Sequence, residues 1–317
     1  MKTIFIRSEK CLPRFKNPVV AVGIFDGIHR GHQKLIAKTI TRARKIRGTS
    51  AVLTFFPHPV QVLNKHFDLS LLVSLPHRLR LMEKLGIDVC FVVKFTKKFA
   101  TMSAEDFVRK YLSNLLRATE VVIGRNFHFG KNRDGNSDLL KVAARQYNIK
   151  VHALKSVCYQ KDIISSSLLR SLIKSGSLSL AEKYLGRPVS AFGRVVYGDR
   201  RGRLLGIPTA NIDAGQEILL PAGVYAAKIF LADQVFYGVA NIGYCPTFKR
   251  DKKRKVEVHI FDFHKNIYGK HIEISFLKKI RDEKRFLLQE HLCNQIEHDK
   301  KEARKYFARR RDPQHKR

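Results

Sequence analysis

Tryptophan is absent from this chain, methionine occurs three times, and only 27 acidic residues face 61 lysines and arginines. No apolar run approaches the roughly 18 residues that a membrane span requires, so no membrane role is expected. The opening stretch, MKTIFIRSEKCLPRF, holds no continuous apolar core followed by a small-residue cleavage site, and no secretory signal is read there. Cysteine is sparse: Cys11, Cys90, Cys158, Cys245 and Cys293 are odd in number, scattered, and never spaced as CxxC. That pattern argues against a disulfide framework or a zinc knuckle and for a reducing, cytoplasmic setting. RNP, KH and zinc-finger patterns are missing as well, and no internal repeat is seen.

What is present suits a folded rather than a disordered protein. Hydrophobic residues make up 44% of the 317 positions, enough for sizeable cores, and the length suits two domains. The formal net charge of +34 has three readings. It would drive a nucleic-acid binder through counterion release, concentrate anionic substrates around an enzyme, or lie on solvated faces that serve neither. The basic residues are spread along the whole chain, so nucleic acid is not expected as the primary partner. A homo-oligomer is left open.

In the first half, strand-like runs alternate with helical spacing. Residues 19–22, 51–55, 90–93 and 121–123 read as strands, separated by helical patterns over 35–47, 77–85 and 104–116. This alternation predicts a doubly wound, Rossmann-like α/β domain with a parallel sheet and ligands at the carboxyl ends of its strands. Residues 165–184 read as two short helices stopped at Gly176. The punctuation Leu185-Gly186-Arg187-Pro188 then sets the boundary, giving domains 1–186 and 187–317. Beyond it, runs at 191–197, 223–231, 235–240, 256–263 and 271–277 predict a small antiparallel barrel. A long helical pattern through Leu288, Leu292, Ile296, Ala303 and Phe307 follows, with a basic tail from Arg309.

Chemistry concentrates just after the strands. In GIFDGIHRGH at residues 23–32, Gly23 and Gly27 permit backbone conformations that bring amides close to an anion. His29 and His32 share one face at the opening of a helix, where the dipole already favours phosphate. Imidazoles there can donate to a triphosphate and stabilise charge developing at its α-phosphate. Two other readings stay open for the residues alone: a shared metal ion, or a chance pairing of glycines and histidines in a loop. In the second half, GDRRGR at residues 198–203 leads into GIPTAN at 206–211. Thr209 and Asn211, two apart, offer oxygens for Mg²⁺ held together with nucleotide phosphates. An ordinary hairpin loop is the competing reading.

The first-half turn is joined by TFFPHP at residues 54–59, GRNFHFG at 124–130 and ISSSLLR at 164–170. Together they resemble the adenylyltransferase module of prokaryotic bifunctional riboflavin kinase/FAD synthetases. The resemblance implies AMP transfer from ATP to FMN, giving FAD and pyrophosphate. It implies that His29 and His32 contact the ATP phosphates, with Gly23, Phe25, Asp26, Gly27 and Gly31 shaping that cradle. Asn126 joins the catalytic constellation, Ser165, Ser166 and Arg170 hold the triphosphate from the far side, and His58 and Pro59 lie near the flavin. Ser167 stands where threonine is usual and keeps the hydroxyl.

The second half continues the resemblance with GIPTAN, PAGVY at residues 221–225, NIGYCPTF at 241–248, EVHIFDF at 257–263, YGK at 268–270 and IRDEKRF at 280–286. These look like the riboflavin kinase module, which implies a six-stranded antiparallel barrel with a C-terminal helix. On that resemblance Glu257 is the general base toward the ribityl 5′-hydroxyl and Arg281 lies along the flavin. Gly198, Gly206, Thr209 and Asn211 then hold ATP, the last two with Mg²⁺. From the residues alone, Glu257 would be only a solvent-facing charge, and Arg281 would pair with Asp282 or Glu283. The substrates implied are small molecules: riboflavin, FMN and ATP.

Overall fold

The computed structural model describes residues 1–7, 12–64, 70–198, 206–215, 217, 220–244 and 254–310. Residues 199–203 of the GDRRGR stretch, 245–248 of NIGYCPTF, Cys11, Cys245 and the end of the basic tail lie outside them. The chain forms two compact units, Met1–Leu69 with Arg78–Ser166 and Ser70–His77 with Ser167–Arg317.

The first unit is built on a six-stranded parallel sheet in the order β1-β4-β3-β2-β5-β6. Its strands are β1 Lys2–Ile6, β2 Val19–Val22, β3 Ser50–Phe56, β4 Val89–Lys94, β5 Glu120–Gly124 and β6 Lys150–Leu154. Every residue of β2 is buried, as befits a parallel strand covered on both faces, and this explains its unbroken apolar character. Strand order reverses at β2, with β3 and β4 on one side and β5 and β6 on the other. The crevice of the sheet therefore opens at the carboxyl ends of β3, β2 and β5. Three of the four first-half motifs follow those three strands.

Helices α1 Arg30–Lys45, α2 Pro59–Leu63, α3 Leu75–Lys84, α4 Lys97–Ala100, α5 Ala104–Phe107 and α6 Ser137–Arg145 connect the strands. The helix expected over 104–116 is present, but from Val108 to Leu115 it is wound as a π-helix. That winding keeps Val108, Tyr111 and Leu112 buried together. The edge strands β1 and β6 extend the sheet beyond the four strands expected: both are only partly buried and lack the apolar run that marks a central strand.

Glu120, at the start of β5, illustrates how the sheet is tied to its helices. Its carboxylate accepts from Arg42 of α1 at 2.7 and 2.5 Å and lies 2.8 Å from His152 Nε2 of β6. The Arg42 guanidinium, aided by His152, holds this carboxyl down to about 2. A carboxyl lowered on folding contributes stability that is complete above its ordinary pKa of 4.5 and is lost as pH falls through about 2. Glu120→Gln should therefore cost about 1–2 kcal/mol at neutral pH, discounted for partial exposure of the partners. Denaturant titrations should find that gap closing between pH 4.5 and 2; a gap independent of pH would contradict the assignment.

The second unit holds the closed antiparallel barrel β10-β13-β12-β11-β14-β9. Its strands are β9 Val189–Val196, β10 Ala210–Asp213, β11 Gly223–Leu231, β12 Gln234–Tyr244, β13 Arg254–Ile260 and β14 His271–Arg281; a two-residue hairpin, β7 Cys158–Tyr159 with β8 Asp162–Ile163, precedes them in the first unit. Alternate residues Val256, Val258 and Ile260 fill the barrel interior. β13 stops at Ile260, before the expected 263, because Asp262 turns the chain at φ 53°. The sixth strand, β10, is too short to show a period in the sequence. Helices α7 Ser166–Lys174 and α8 Leu178–Leu185 are separated at Gly176 (φ 76°), and α8 is closed by Gly186 in the left-handed region. The last helix, α9 Gln289–Arg309, buries Ala303 and Phe307 against Val224, Ala226, Val239 and Phe261.

Candidate active sites

In the first unit, β2 ends at Gly23, whose amide still pairs with Leu53 O of β3 at 3.1 Å. The chain then takes left-handed conformations at Phe25 (φ 57°), Gly27 (φ 88°) and Ile28 (φ 43°). Two of these are bulky residues, for which such angles carry strain. Burial holds them there: Phe25 and Ile28 are 0% and 1% exposed. Ser166 Oγ donates to Asp26 O at 2.9 Å and ties the serine motif to this turn.

His29 is the N-cap of α1, its Nδ1 accepting from the His32 amide at 3.4 Å. The two imidazoles stack with centroids 3.7 Å apart, and Phe25 lies 5.2 Å from His32. A Cβ at Gly31 would press on the His29 ring at 3.0 Å, so glycine here leaves the room the ring occupies. Burial lowers His29 to about 4. His32 is pushed well down by burial, then by His29 and by Arg78. Both imidazoles are therefore neutral near pH 7. Because His29 Nδ1 is an acceptor, its proton sits on Nε2, where it can be donated. His32 Nδ1 is buried and finds no hydrogen-bond partner among the described residues. The first turn of α1 holds no acidic residue, which leaves its positive end uncompensated.

β3 runs into His58, which caps α2 through Nδ1 and the Val60 amide at 3.2 Å, with Pro59 opening the helix. After β5, Asn126 sits exposed in a turn closed by Phe127 N and Gly124 O. Ser165 is part-buried just before α7. Arg170, on α7 in the second unit, donates from Nε to Ser70 O at 3.0 Å. Among the described residues no cluster of three or more His, Cys, Asp or Glu could hold a metal ion.

In the second unit, register brings the kinase-like motifs together. Asn211 on β10 lies opposite Glu257 on β13, and Glu257 lies opposite Asn241 on β12. Residues opposed in this way present their side chains on one face. Their neighbours Ile212, Val256 and Ile242 are buried, so the Asn211–Glu257–Asn241 row lies on the outer face of the barrel. Thr209, one residue before β10, is two positions from Asn211; beside it, His259 Nδ1 pins Pro208 O at 2.9 Å. A Cβ on Gly198 would drive into the Asn211 amide, so that glycine leaves the space the amide fills. Gly206 sits in a turn at φ 71°. A second carboxylate, on the exposed Glu283, approaches the row from the side: a Cβ at Gly243 would meet its Oε1, and Asn241 Nδ2 is 3.5 Å from the same point.

Arg281 ends β14, and its guanidinium is held by Asp299 of α9 through three contacts of 2.8–3.0 Å. The acidic partner is thus Asp299, while Asp282 contributes only its carbonyl, which accepts from Nη1 at 2.9 Å. The guanidinium also faces the Phe286 ring at 5.8 Å. A cleft of about 490 Å³ opens here, lined by Lys278, Arg281, Lys284, Gln295 and Asp299 among others. The PAGVY motif packs against the end of β14: Gly223, at φ 150°, comes so close to Arg281 O that a Cβ would collide, and Tyr225 Oη donates to Pro221 O at 2.7 Å. One feature had no sequence signal beyond the YGK motif. Tyr197 and Tyr268, 68% and 37% exposed, stack at 4.1 Å beside Gly198 and Gly269.

The two halves match separate family models, FAD synthetase over residues 12–168 and riboflavin kinase over residues 185–307. The chain is 38% identical over 319 residues to a bifunctional riboflavin kinase/FMN adenylyltransferase of Listeria monocytogenes, covering 98% of this chain and 100% of the relative. The Bacillus subtilis enzyme of the same description is 38% identical, covering 97% and 99%. A crystal structure of a macrolide-efflux protein from Streptococcus pneumoniae matches with a TM-score of 0.83 and 29% identity, covering 96% of this chain and 99% of that one. No described helix of the present chain is long and apolar enough to cross a membrane.

Proposed function

The chain belongs to the bifunctional riboflavin kinase/FMN adenylyltransferase family, and on that premise we propose which residues carry each reaction. The protein phosphorylates riboflavin with ATP to FMN and transfers AMP from ATP to FMN, giving FAD and pyrophosphate. We assign FMN adenylylation to residues 1–186 and riboflavin phosphorylation to residues 187–317. The free thiols of Cys90, Cys158 and Cys293 support a reducing, cytoplasmic setting.

For adenylyl transfer, the observation that carries the reading is the stacked, neutral His29–His32 pair at the positive end of α1. An FMN phosphate oxygen attacks the α-phosphorus of ATP, the bond to the β-phosphate oxygen breaks, and pyrophosphate leaves. The nucleophile is already anionic, so positioning and electrostatics suffice. His29 Nε2–H and His32 donate to the triphosphate, and the amides of the turn formed by Gly23, Phe25, Asp26, Gly27 and Gly31 complete the cradle. Asn126 orients the reacting groups, Ser165 and Ser166 hold the far end of ATP, and His58 and Pro59 border the flavin.

For the kinase, the carrying observation is the Asn211–Glu257–Asn241 row. Glu257 takes the proton of the ribityl 5′-hydroxyl as that oxygen attacks the γ-phosphorus and ADP departs. The Thr209 hydroxyl and Asn211 amide oxygen suit Mg²⁺, which prefers oxygen donors and shares them with nucleotide phosphates. When bound, the ion would neutralise charge on the β- and γ-phosphates. Gly198 and Gly206 let the backbone approach those phosphates, the exposed Tyr197–Tyr268 stack offers a platform for the nucleobase, and Arg281 lies along the flavin in its cleft.

Incubating the chain with riboflavin, ATP and Mg²⁺ and resolving flavins by chromatography should yield both FMN and FAD. FMN alone would mean an idle first half, and neither product would overturn the reading. Gly198→Ala should lower FMN formation about tenfold, because the new methyl displaces the Asn211 amide, while FAD formation from supplied FMN stays unchanged. An unaffected kinase would remove Asn211 from the site.

A further inference from the structure

Beneath the 23–32 turn lies Arg78, an arginine with no exposed surface. Its Nη1 donates to Ile24 O at 2.7 Å, to Thr54 Oγ1 at 3.2 Å and to Phe55 O at 3.4 Å. Thr54 Oγ1 in turn donates to Ile24 O at 3.0 Å. One side chain of α3 thus joins the residue that leaves β2 to the end of β3, the two strands whose carboxyl ends carry the GIFDGIHRGH and TFFPHP motifs. Burying a guanidinium is costly, and an apolar side chain of similar volume commonly serves stability as well or better. The cation here also acts at a distance: its field disfavours charge on the His32 imidazole.

We propose that Arg78 is a positioning residue for adenylyl transfer, fixing the 23–32 turn against β3 and placing a permanent positive charge behind the His29–His32 pair. The inference rests on the reading that those histidines face the triphosphate. Arg78 does not touch substrate. It holds the Ile24 carbonyl at the entry to the left-handed turn from Phe25 to Ile28 that leads to the imidazoles, and its charge adds to the burial and the His29 contact that disfavour a charged His32. It also adds positive potential where the α-phosphate gains negative charge. An interaction of this kind is felt most in the transition state, so its loss lowers kcat more than it raises KM.

The test compares Arg78→Met, Arg78→Lys and Thr54→Val in FAD formation from supplied FMN, with riboflavin phosphorylation by the same preparations as an internal control. Arg78→Met should lower kcat about a hundredfold with KM for ATP within about threefold. Arg78→Lys, which restores the charge and one donor, should recover all but about tenfold of that activity. Thr54→Val keeps the β-branched shape and the Arg78 side chain, removes one of the three acceptors of Nη1, and should lower kcat about fivefold. Equal losses for the Lys and Met variants, or a normal kcat in Arg78→Met or Thr54→Val, would overturn the proposal. So would a rise in KM with kcat unchanged. If Arg78→Met fails to fold, the Lys and Thr54→Val measurements decide. A His29→Ala variant run alongside separates the two readings: full activity there defeats the histidine assignment, whereas its loss beside a silent Arg78→Met defeats only the present one.

Discussion

Glu257→Gln should stop FMN formation, by about a thousandfold or more, while FAD formation from supplied FMN stays within about twofold of normal. The substitution keeps size and shape while removing the carboxylate's charge and with it the ability to accept a proton. Glu257 is half-buried on the outer face of the barrel between Asn211 and Asn241, so a glutamine of the same size is accommodated without a cavity. Fold effects are thereby separated from chemistry. The nearby carboxylate of Glu283 is the natural competitor for the role. It is exposed and belongs to the loop after β14, outside the strand register, so Glu283→Gln should cost less than about tenfold. Rapid-quench measurement of FMN on both variants decides between them. If the large loss appeared in Glu283→Gln instead, the base would be reassigned. Loss of both activities in Glu257→Gln would point to a damaged fold.

The sequence made the central strands and the phosphate turn legible because each has a local cause. β2 is an unbroken apolar run of three valines and an alanine, and its end is marked by glycine. The 23–32 turn carries its own punctuation, and the histidine spacing announces a shared helical face. What stayed hidden depends on partners distant in the chain. β10 has four residues and shows its period only against β9 and β13. Arg281 could be matched with an acidic neighbour, yet its carboxylate partner is Asp299, 18 positions along and placed by the docking of α9. Nothing local in the sequence singles out Arg78, and only tertiary packing reveals it to be buried. His77 is similar: its Nδ1 lies 2.8 Å from Glu217 in the second unit, a buried pair with no local signature. Charge is the general case. In a chain at +34, a basic residue carries little information until burial singles it out.

His29→Asn should lower FAD formation by about two to three orders of magnitude and leave riboflavin phosphorylation unchanged. Asparagine is chosen because His29 has two duties. As N-cap of α1 it accepts from the His32 amide, and loss of that cap in His29→Ala costs about 1 kcal/mol of stability. Asparagine is a good cap, so the Asn variant retains the helix start and removes only the imidazole. If His29→Ala and His29→Asn lose the same activity while only the alanine variant melts earlier, the ring itself is the catalytic element. Were asparagine to restore activity, the histidine would be a helix cap and no more. The pH profile gives an independent check. Burial places the free His29 near pH 4, so kcat/KM for ATP should show no inflection from it between pH 6 and 8. A step near 6.5 that disappears in His29→Asn would mean an ordinary solvated imidazole, and the stacked, neutral pair would no longer explain the chemistry.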